Sequence, residues 1–274
     1  MDTIGVNLQA VKQRIAHAAK LCGRDPVDVG LIAVSKAFGA DAVAAAHARG
    51  QYVFGENYVQ EAVEKISALA GVASPEAPLL RPLEPRIASA NREYDATASD
   101  ARGHSARVAS PEGPLLRPLE WHFIGPIQSN KTRLIAEHFD WVHSIDRLKI
   151  GERLSAARLA GLAPLQVCIQ VNIGDERTKS GVAAGEALAL ARAVAELPRL
   201  KLRGLMTVPS ASADYAQQRR YFAQLRQLKN EIVSAGVALD TLSMGMSGDF
   251  EAAIVEGATL VRVGTAIFGE RKKY

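Results

Sequence analysis

The stretch VGLIAVSKAFGADAVAAAHARGQYVFGEN, residues 29–57, passes from a short apolar run at 29–34 through a longer amphipathic stretch to a second short run at 52–54. That is the pattern of a strand, a crossover helix and a parallel strand. Outward from it, further short runs follow at 121–124, 141–144, 166–172, 202–206, 241–243 and 260–263. Helical patterns lie between them, as at 184–196 and at 213–235, where Phe222, Leu225, Leu228 and Ile232 recur at three- and four-residue steps. One more helical pattern, residues 7–22, precedes the first run. Eight strand–helix units with an extra N-terminal helix predict an α/β fold, a parallel (β/α)8 barrel of the TIM type, formed by residues 1–274 as a single domain. An open doubly wound sheet is the alternative. It is disfavoured because no glycine-rich dinucleotide fingerprint follows the first run.

Residues 72–120 interrupt this rhythm. Seven of the 12 prolines fall there, and VASPEAPLLRPLE at 72–84 returns as VASPEGPLLRPLE at 108–120, with Ala77 replaced by Gly113. A single repeat at an offset of 36 residues reads as a local duplication, since a solenoid needs further copies. The small, polar and charged residues between the copies carry no sustained period, which predicts a surface excursion or disorder inserted before the third strand.

Composition narrows the functional classes. With 33 Lys+Arg against 29 Asp+Glu, a formal charge of +4 and 48% hydrophobic residues, the chain has an ordinary soluble balance. The basic pairs and triplets at Arg219/Arg220 and Arg271–Lys273 give no nucleic-acid footprint. Cys22 and Cys168 are too few for a disulfide framework or a CxxC metal site, no metal-ligand spacing occurs, and no GxSxG or Cys/His nucleophile signature is present. The first 20 residues show helical patterning with an early acid, and no 18-residue apolar run occurs later. The expectation is therefore a cytoplasmic protein without signal peptide or membrane span.

In a barrel, chemistry belongs at the carboxyl ends of the strands. Lys36 ends VGLIAVSK, and alternation places Gly30, Ile32, Val34 and Lys36 on one face, so the amine projects toward the barrel mouth. A lysine among apolar groups is a candidate nucleophile toward an aldehyde; the plain alternative is a solvated surface lysine. The seventh run leads into Ser243-Met-Gly-Met-Ser247-Gly-Asp and the eighth into Arg262-Val-Gly264-Thr265. Small residues and hydroxyls at the starts of helices are phosphate-cradle chemistry, in the usual phosphate position of this fold. The plain alternative is that Ser247 caps a helix starting near Asp249. Alternation also turns Arg262 inward, where a guanidinium needs an acceptor: a ligand, or a distant acid. His122 reads as a core histidine or a proton carrier. Two polar loops, Gly125 to Lys131 and Asp175 to Gly181, receive no task.

A lysine, a phosphate cradle and an inward arginine together describe a site for pyridoxal 5′-phosphate. In order and spacing, LIAVSK, FGENYVQEAVEKI, WHFIGPIQSNK, VNIGDERTKSGV, RGLMTVP, LSMGMSGDFEAAIVEG and VRVGTAIFG resemble the pyridoxal-phosphate homeostasis proteins, single-domain relatives of the alanine-racemase barrel of fold type III. The resemblance covers the chain except residues 72–120. It implies that Lys36 forms an internal aldimine, that Ser247, Gly264 and Thr265 bind the phosphate with Met246 giving a backbone contact, and that Arg262 faces the pyridine nitrogen. Asn57 and Met206 would flank the ring, and Ser243 would help the phosphate or stand behind it. An always-cationic arginine at that nitrogen weakens the ring as an electron sink. The racemases' second base, a tyrosine from a following domain, has no counterpart expected after Tyr274, which leaves Tyr58 or His122 as the candidates to replace it. The reading is a non-catalytic, monomeric cofactor carrier acting in intracellular pyridoxal phosphate homeostasis and affecting amino-acid and keto-acid metabolism. Its partners would be the cofactor and apo pyridoxal-phosphate enzymes. The alternative is a weak amino-acid racemase.

Overall fold

The computed structural model describes residues 3–70, 118–174 and 180–270. The duplicated segment, apart from its last three residues, lies outside them, as do residues 175–179 and 271–274. In chain order the strands are β1 (Gly30–Val34), β2 (Val53–Glu56), β3 (Glu120–Phe123), β4 (Trp141–Ile145), β5 (Leu165–Asn172), β6 (Val182–Ala183), β7 (Leu200–Met206), β8 (Thr241–Ser243) and β9 (Leu260–Val263). The α-helices are α1 (Thr3–Leu21), α2 (Ala40–His47), α3 (Val59–Leu69), α4 (Thr132–His138), α5 (Leu148–Ala157), α6 (Ala187–Ala195), α7 (Tyr215–Ser234), α8 (Phe250–Val255) and α9 (Thr265–Phe268).

All strand pairs are parallel, and the pairings β1–β9 and β4–β5 close eight strands into a barrel, with β6 a two-residue annex on β5. This is the expected (β/α)8 architecture. The second strand lies later than the apolar run suggests, because Gly55 and Glu56 pair with His122 and Phe123. Neither is a strand former by propensity. Gly55 is required there: a Cβ would lie 2.8 Å from the Ile32 side chain of the adjacent strand. The second repeat copy runs directly into β3, so that Glu120, its last residue, is the first of the strand.

Alternation along the strands sorts two layers. Ala33, Phe54, Trp121, Phe123, Val142, Val167, Ile169, Leu205, Leu242, Val261 and Val263 join the main core with Leu8, Val11, Val43, Ile135, Leu154, Phe222 and Phe250 of the helices. Trp141, Cys168 and Met206, with Leu260, form a separate inner cluster. The rest of the lumen is unusually polar for a fold normally filled with branched aliphatics: His122, His143, Ser243, Thr241, Arg203 and Arg262 are all buried. Helix α1 packs on α2, α8 and α9, across the β1–β9 closure. Its Asn7 side chain donates to the Ile267 carbonyl at 3.0 Å, and Arg24, just beyond it, donates to the Ile254 and Ala258 carbonyls at 2.9 and 2.8 Å. Among the described residues no helix is long and apolar enough to cross a membrane.

Candidate functional site

Parallel strands put all their carboxyl ends on one face, and that face gathers the residues singled out in the sequence. Lys36 lies two residues beyond β1 and Asn57 one beyond β2; Met206 ends β7 and Ser243 ends β8. Met246 and Ser247 follow β8, Arg262 lies in β9, Gly264 caps α9 and Thr265 opens it. Register fixes the neighbours of Lys36, since Val34 pairs with Gly55 and Ala33 with Val263. A Cβ on Gly264 would lie 3.1 Å from the Val34 carbonyl, so the start of α9 presses on the strand that leads to the lysine. Below Lys36, Ile32, Val34 and Ile124 meet around Gly55 and form an apolar floor.

The backbone around Lys36 is held from outside the barrel. Helix α3 buries Val59, Ala62, Lys65 and Leu69, so a lysine sits on the helix face that should be apolar. The Lys65 ammonium donates to the Ser35 carbonyl at 2.8 Å, to Glu56 Oε1 at 2.7 Å and to Glu61 Oε1 at 2.6 Å. Glu61 in turn accepts from the Ala37 N–H at 2.6 Å, and the Ser35 hydroxyl donates to Glu56 at 2.6 Å. Both residues flanking Lys36 are thereby tied to one ion cluster. Ala37 has φ 65°, a left-handed conformation costing a non-glycine residue about 1 kcal/mol. Burial pushes the Glu56 carboxyl up from its usual range, against the lowering by Lys65 and Ser35.

Arg262 is buried, 4% exposed, and its acceptors are neither of the two expected kinds. Nη1 donates to the Ser243 carbonyl at 2.6 Å and hydroxyl at 2.8 Å, and Nη2 to the Thr207 carbonyl at 2.8 Å. Strand-end carbonyls replace the acid that the sequence lacked. Burial lowers the guanidinium to about 10, partly opposed by Asp249 and Cys168; it remains a cation at neutral pH. The loop after β8 turns at Gly245, φ 93°, where a Cβ would lie 2.9 Å from Phe250 Cα. The cap of α8 is Asp249, not Ser247. Asp249 also accepts from the Met246 N–H at 2.6 Å, so the backbone donor assigned to the cofactor is directed at a carboxylate of the chain itself.

His122 has both ring nitrogens engaged, Nε2 with Glu120 at 2.7 Å and Nδ1 with His143 Nε2 at 2.8 Å, and is 1% exposed. It is a satisfied core histidine with no nitrogen left for a substrate. Tyr58 is 57% exposed. The sequence reading passed over His143, Thr207 and the Lys65 cluster, and took Asp249 only as a helix start. Signals existed for two of them: His143 shares the inward face of β4 with Trp141, and Lys65 follows Ala62 by three residues on the buried side of α3. Cys168 lies in the lumen, and burial pushes its thiol up to about 12, which makes it inert.

His143 makes a stability prediction. Burial first, then the charges of His122 and Arg262, lower it well below its ordinary 6.5. The folded state therefore favours the neutral ring. This contribution is fully present above the unfolded value and is lost as pH falls from about 6.5 through the lower folded value, at up to about 1.4 kcal/mol per pH unit for one proton. Urea midpoints measured between pH 7.5 and 5 should fall more steeply for the wild type than for His143→Asn.

The residues fit pyridoxal phosphate on the structure's own terms. Asn57 Oδ1 is a buried acceptor with no hydrogen-bond partner among the described residues, a cost that a ligand donor would remove. A Cβ on Gly248 meets nothing within 4 Å, so the loop after β8 faces open space. A guanidinium bonded to no carboxylate among the described residues suits an uncharged ring nitrogen. Among the described residues no group of three or more His, Cys, Asp or Glu could hold a metal ion.

Comparison with known proteins shows the family. The alanine racemase, N-terminal domain family matches residues 6–272. The pyridoxal phosphate homeostasis protein of Pseudomonas aeruginosa is 49% identical over 271 residues, covering 99% of this chain and 97% of that protein. The protein of the same name from Escherichia coli K12 is 45% identical over 276 residues, covering 99% and 98%. The structure of PipY of Synechococcus elongatus with pyridoxal phosphate bound aligns with a TM-score of 0.67 at 33% identity, covering 93% of this chain and 100% of that one.

Proposed function

The chain belongs to the alanine racemase N-terminal domain family and, within it, to the pyridoxal phosphate homeostasis proteins, and from that premise we propose that it binds pyridoxal 5′-phosphate on Lys36 and serves to hold and deliver it inside the cell. The observation that carries the reading is the convergence of Lys36, Asn57, the loop after β8 and Arg262 at one end of the barrel. The PipY structure with pyridoxal phosphate bound supports the same ligand.

When bound, the cofactor supplies an aldehyde that condenses with a primary amine. The chain's residues divide the remaining work. Lys36 offers the amine over the floor of Ile32, Val34 and Ile124, and the Lys65 cluster fixes its peptide. Ser247, Gly264 and Thr265 form the phosphate end, with Met246 taking part once its N–H leaves Asp249. Asn57 and Met206 bound the ring, and Ser243 orients Arg262, whose cation at the ring nitrogen opposes protonation there.

This arrangement favours holding over turnover. Racemisation needs bases on opposite faces of the substrate carbon, and His122, spent on Glu120 and His143, is withdrawn from that role. Residues 1–274 would act as a single barrel domain in the cytoplasm, as a monomer, with apo enzymes as recipients of the cofactor.

The test is an absorption spectrum of wild type and Lys36→Ala with added pyridoxal phosphate, then borohydride reduction and peptide mapping. A visible band in wild type, trapped on Lys36 and absent from the variant, is the expected result. Label scattered over other lysines would overturn the assignment. Solvent-deuterium exchange into the α-position of amino acids by the loaded protein would favour the racemase instead.

A further inference from the structure

A line of side chains crosses the barrel lumen from its amino end to the candidate cofactor site. It starts at Glu120, 40% exposed on the first residue of β3. From there the contacts run Glu120 Oε1 to His122 Nε2 at 2.7 Å, His122 Nδ1 to His143 Nε2 at 2.8 Å, His143 Nδ1 to Ser243 Oγ at 2.8 Å, and Ser243 Oγ to Arg262 Nη1 at 2.8 Å. His122, His143, Ser243 and Arg262 are each at most 4% exposed. No step in the line needs a water.

Donor and acceptor rules leave this line one arrangement when Glu120 is ionised and His122 neutral. Arg262 can only donate, and the carboxylate can only accept. Then His122 carries its proton on Nε2, so its Nδ1 accepts; His143 carries its proton on Nε2, so its Nδ1 accepts; and Ser243 must donate its hydroxyl proton to His143. Every bond donates in one direction, from the cation to the anion.

Adding a proton at His122 reverses the inner bonds. His122 Nδ1–H now donates to His143 Nε2, and the neutral His143 must carry its single proton on Nδ1 and donate to Ser243. Ser243 Oγ then accepts from both His143 and Arg262, and its own hydroxyl proton is turned away from His143. The proton count balances, because one proton enters at His122 and none leaves.

We propose that Glu120, His122 and His143 are positioning residues of a proton-linked relay, which reports the protonation state of His122 to Ser243 and Arg262 and thereby tunes how they hold the cofactor. The claim rests on the reading of Ser243 and Arg262 as cofactor-facing. Other charged groups along the line are Asp140 just before β4, which acts on His122, Arg203 of β7, which acts on Glu120, lies 4.9 Å over the Trp141 ring and pairs with Asp240, and Arg262 of β9, which acts on His143. From β2 the inward neighbours are the uncharged Val53 and Gly55. Burial works to raise the Glu120 carboxyl, but its bond to His122, the charges of His122 and Arg203 and the Trp141 donor hold it below the usual range. Glu120 thus stays an acceptor in either protonation state of its histidine partner.

The test is a pH titration of ¹⁵N-histidine-labelled full-length protein by NMR, for wild type and Glu120→Gln, paired with affinity for pyridoxal phosphate across the same range. We expect His143 to stay neutral but pass from Nε2–H to Nδ1–H with the midpoint of the His122 titration, and Glu120→Gln to move both midpoints down by about one pH unit. Affinity for pyridoxal phosphate should carry an inflection, about threefold or more, that moves with them. A His143 tautomer indifferent to His122 overturns the relay. A tautomer switch whose midpoint moves in Glu120→Gln while the affinity inflection stays fixed overturns its connection to the cofactor. Failure of pyridoxal phosphate to label Lys36 would instead overturn the functional reading, and the NMR titration would still decide the relay.

Discussion

Replacing Lys65 by methionine should cost the fold about 3–5 kcal/mol at pH 8, the usual loss when one partner of a buried ion pair is removed. The side chain is 5% exposed and Glu56 is fully buried, so deleting the ammonium strands a carboxylate that water cannot reach. Among the described residues Glu56 Oε2 already has no hydrogen-bond partner, which leaves Oε1 and the Ser35 hydroxyl to carry the charge. The penalty should shrink at acid pH. The carboxyl of Glu56 is raised by burial even with Lys65 present, and without the cation it takes up a proton more readily and becomes neutral. Urea unfolding of Lys65→Met at pH 8 and pH 5 should show the larger loss at pH 8, and adding Glu56→Gln should recover part of it. An equal loss at both pH values would mean that packing, not charge, is what Lys65 supplies. Because the same ammonium binds the Ser35 carbonyl, the variant should also hold pyridoxal phosphate more weakly.

A second large effect is expected at Gly204. Its Cα faces the neighbouring strand so closely that a Cβ would overlap the Thr241 carbonyl oxygen and lie 2.6 Å from its carbon and 2.9 Å from its Cα. Backbone in a parallel ladder cannot give way by rotating a side chain. The β7–β8 pairing through Gly204 and Thr241 would have to open, and Ser243, two residues on, would leave Arg262. Gly204→Ala should lose more than about 4 kcal/mol, a size reserved for such severe clashes, and yield little soluble protein. Gly161→Ala, where a Cβ meets nothing within 4 Å, is the matched control and should stay within about 0.5 kcal/mol of wild type.

The alternating strands were legible because each buried run carries its own period, and Arg262 betrayed its inward direction by sitting between Val261 and Val263. What satisfies Arg262 was not legible. Its acceptors are the Ser243 and Thr207 carbonyls, and main-chain oxygens have no sequence signature. Gly125 was read as part of a polar loop with no task. In the structure a Cβ there would lie 2.8 Å from Asn57 Cα and 2.9 Å from its carbonyl carbon, so it sets where Asn57 sits. That dependence joins residues 68 positions apart, and only the closed barrel brings them together. The Lys65 cluster was hidden for another reason: one charged residue in an amphipathic stripe is usually a boundary residue whose stem is buried and whose head reaches water. Here three oxygens take the place of the water.

The first helix has a consequence for how the protein is made. Asn7 and Arg24 bond to carbonyls of residues 254–267, and β1 finds one of its two partners only in β9. On the ribosome, with synthesis running from the N-terminus, an element made before all eight barrel strands is among the last to find its place. Until the final unit emerges, β1 presents an open edge and α1 an apolar stripe with much of its floor missing. Closing the ring is therefore a late, long-range event, of the kind that slows folding and exposes a nascent chain to aggregation. A chaperone that shelters the first 60 or so residues should raise soluble yield, and slowing synthesis near the N-terminus should help far less than speeding its completion.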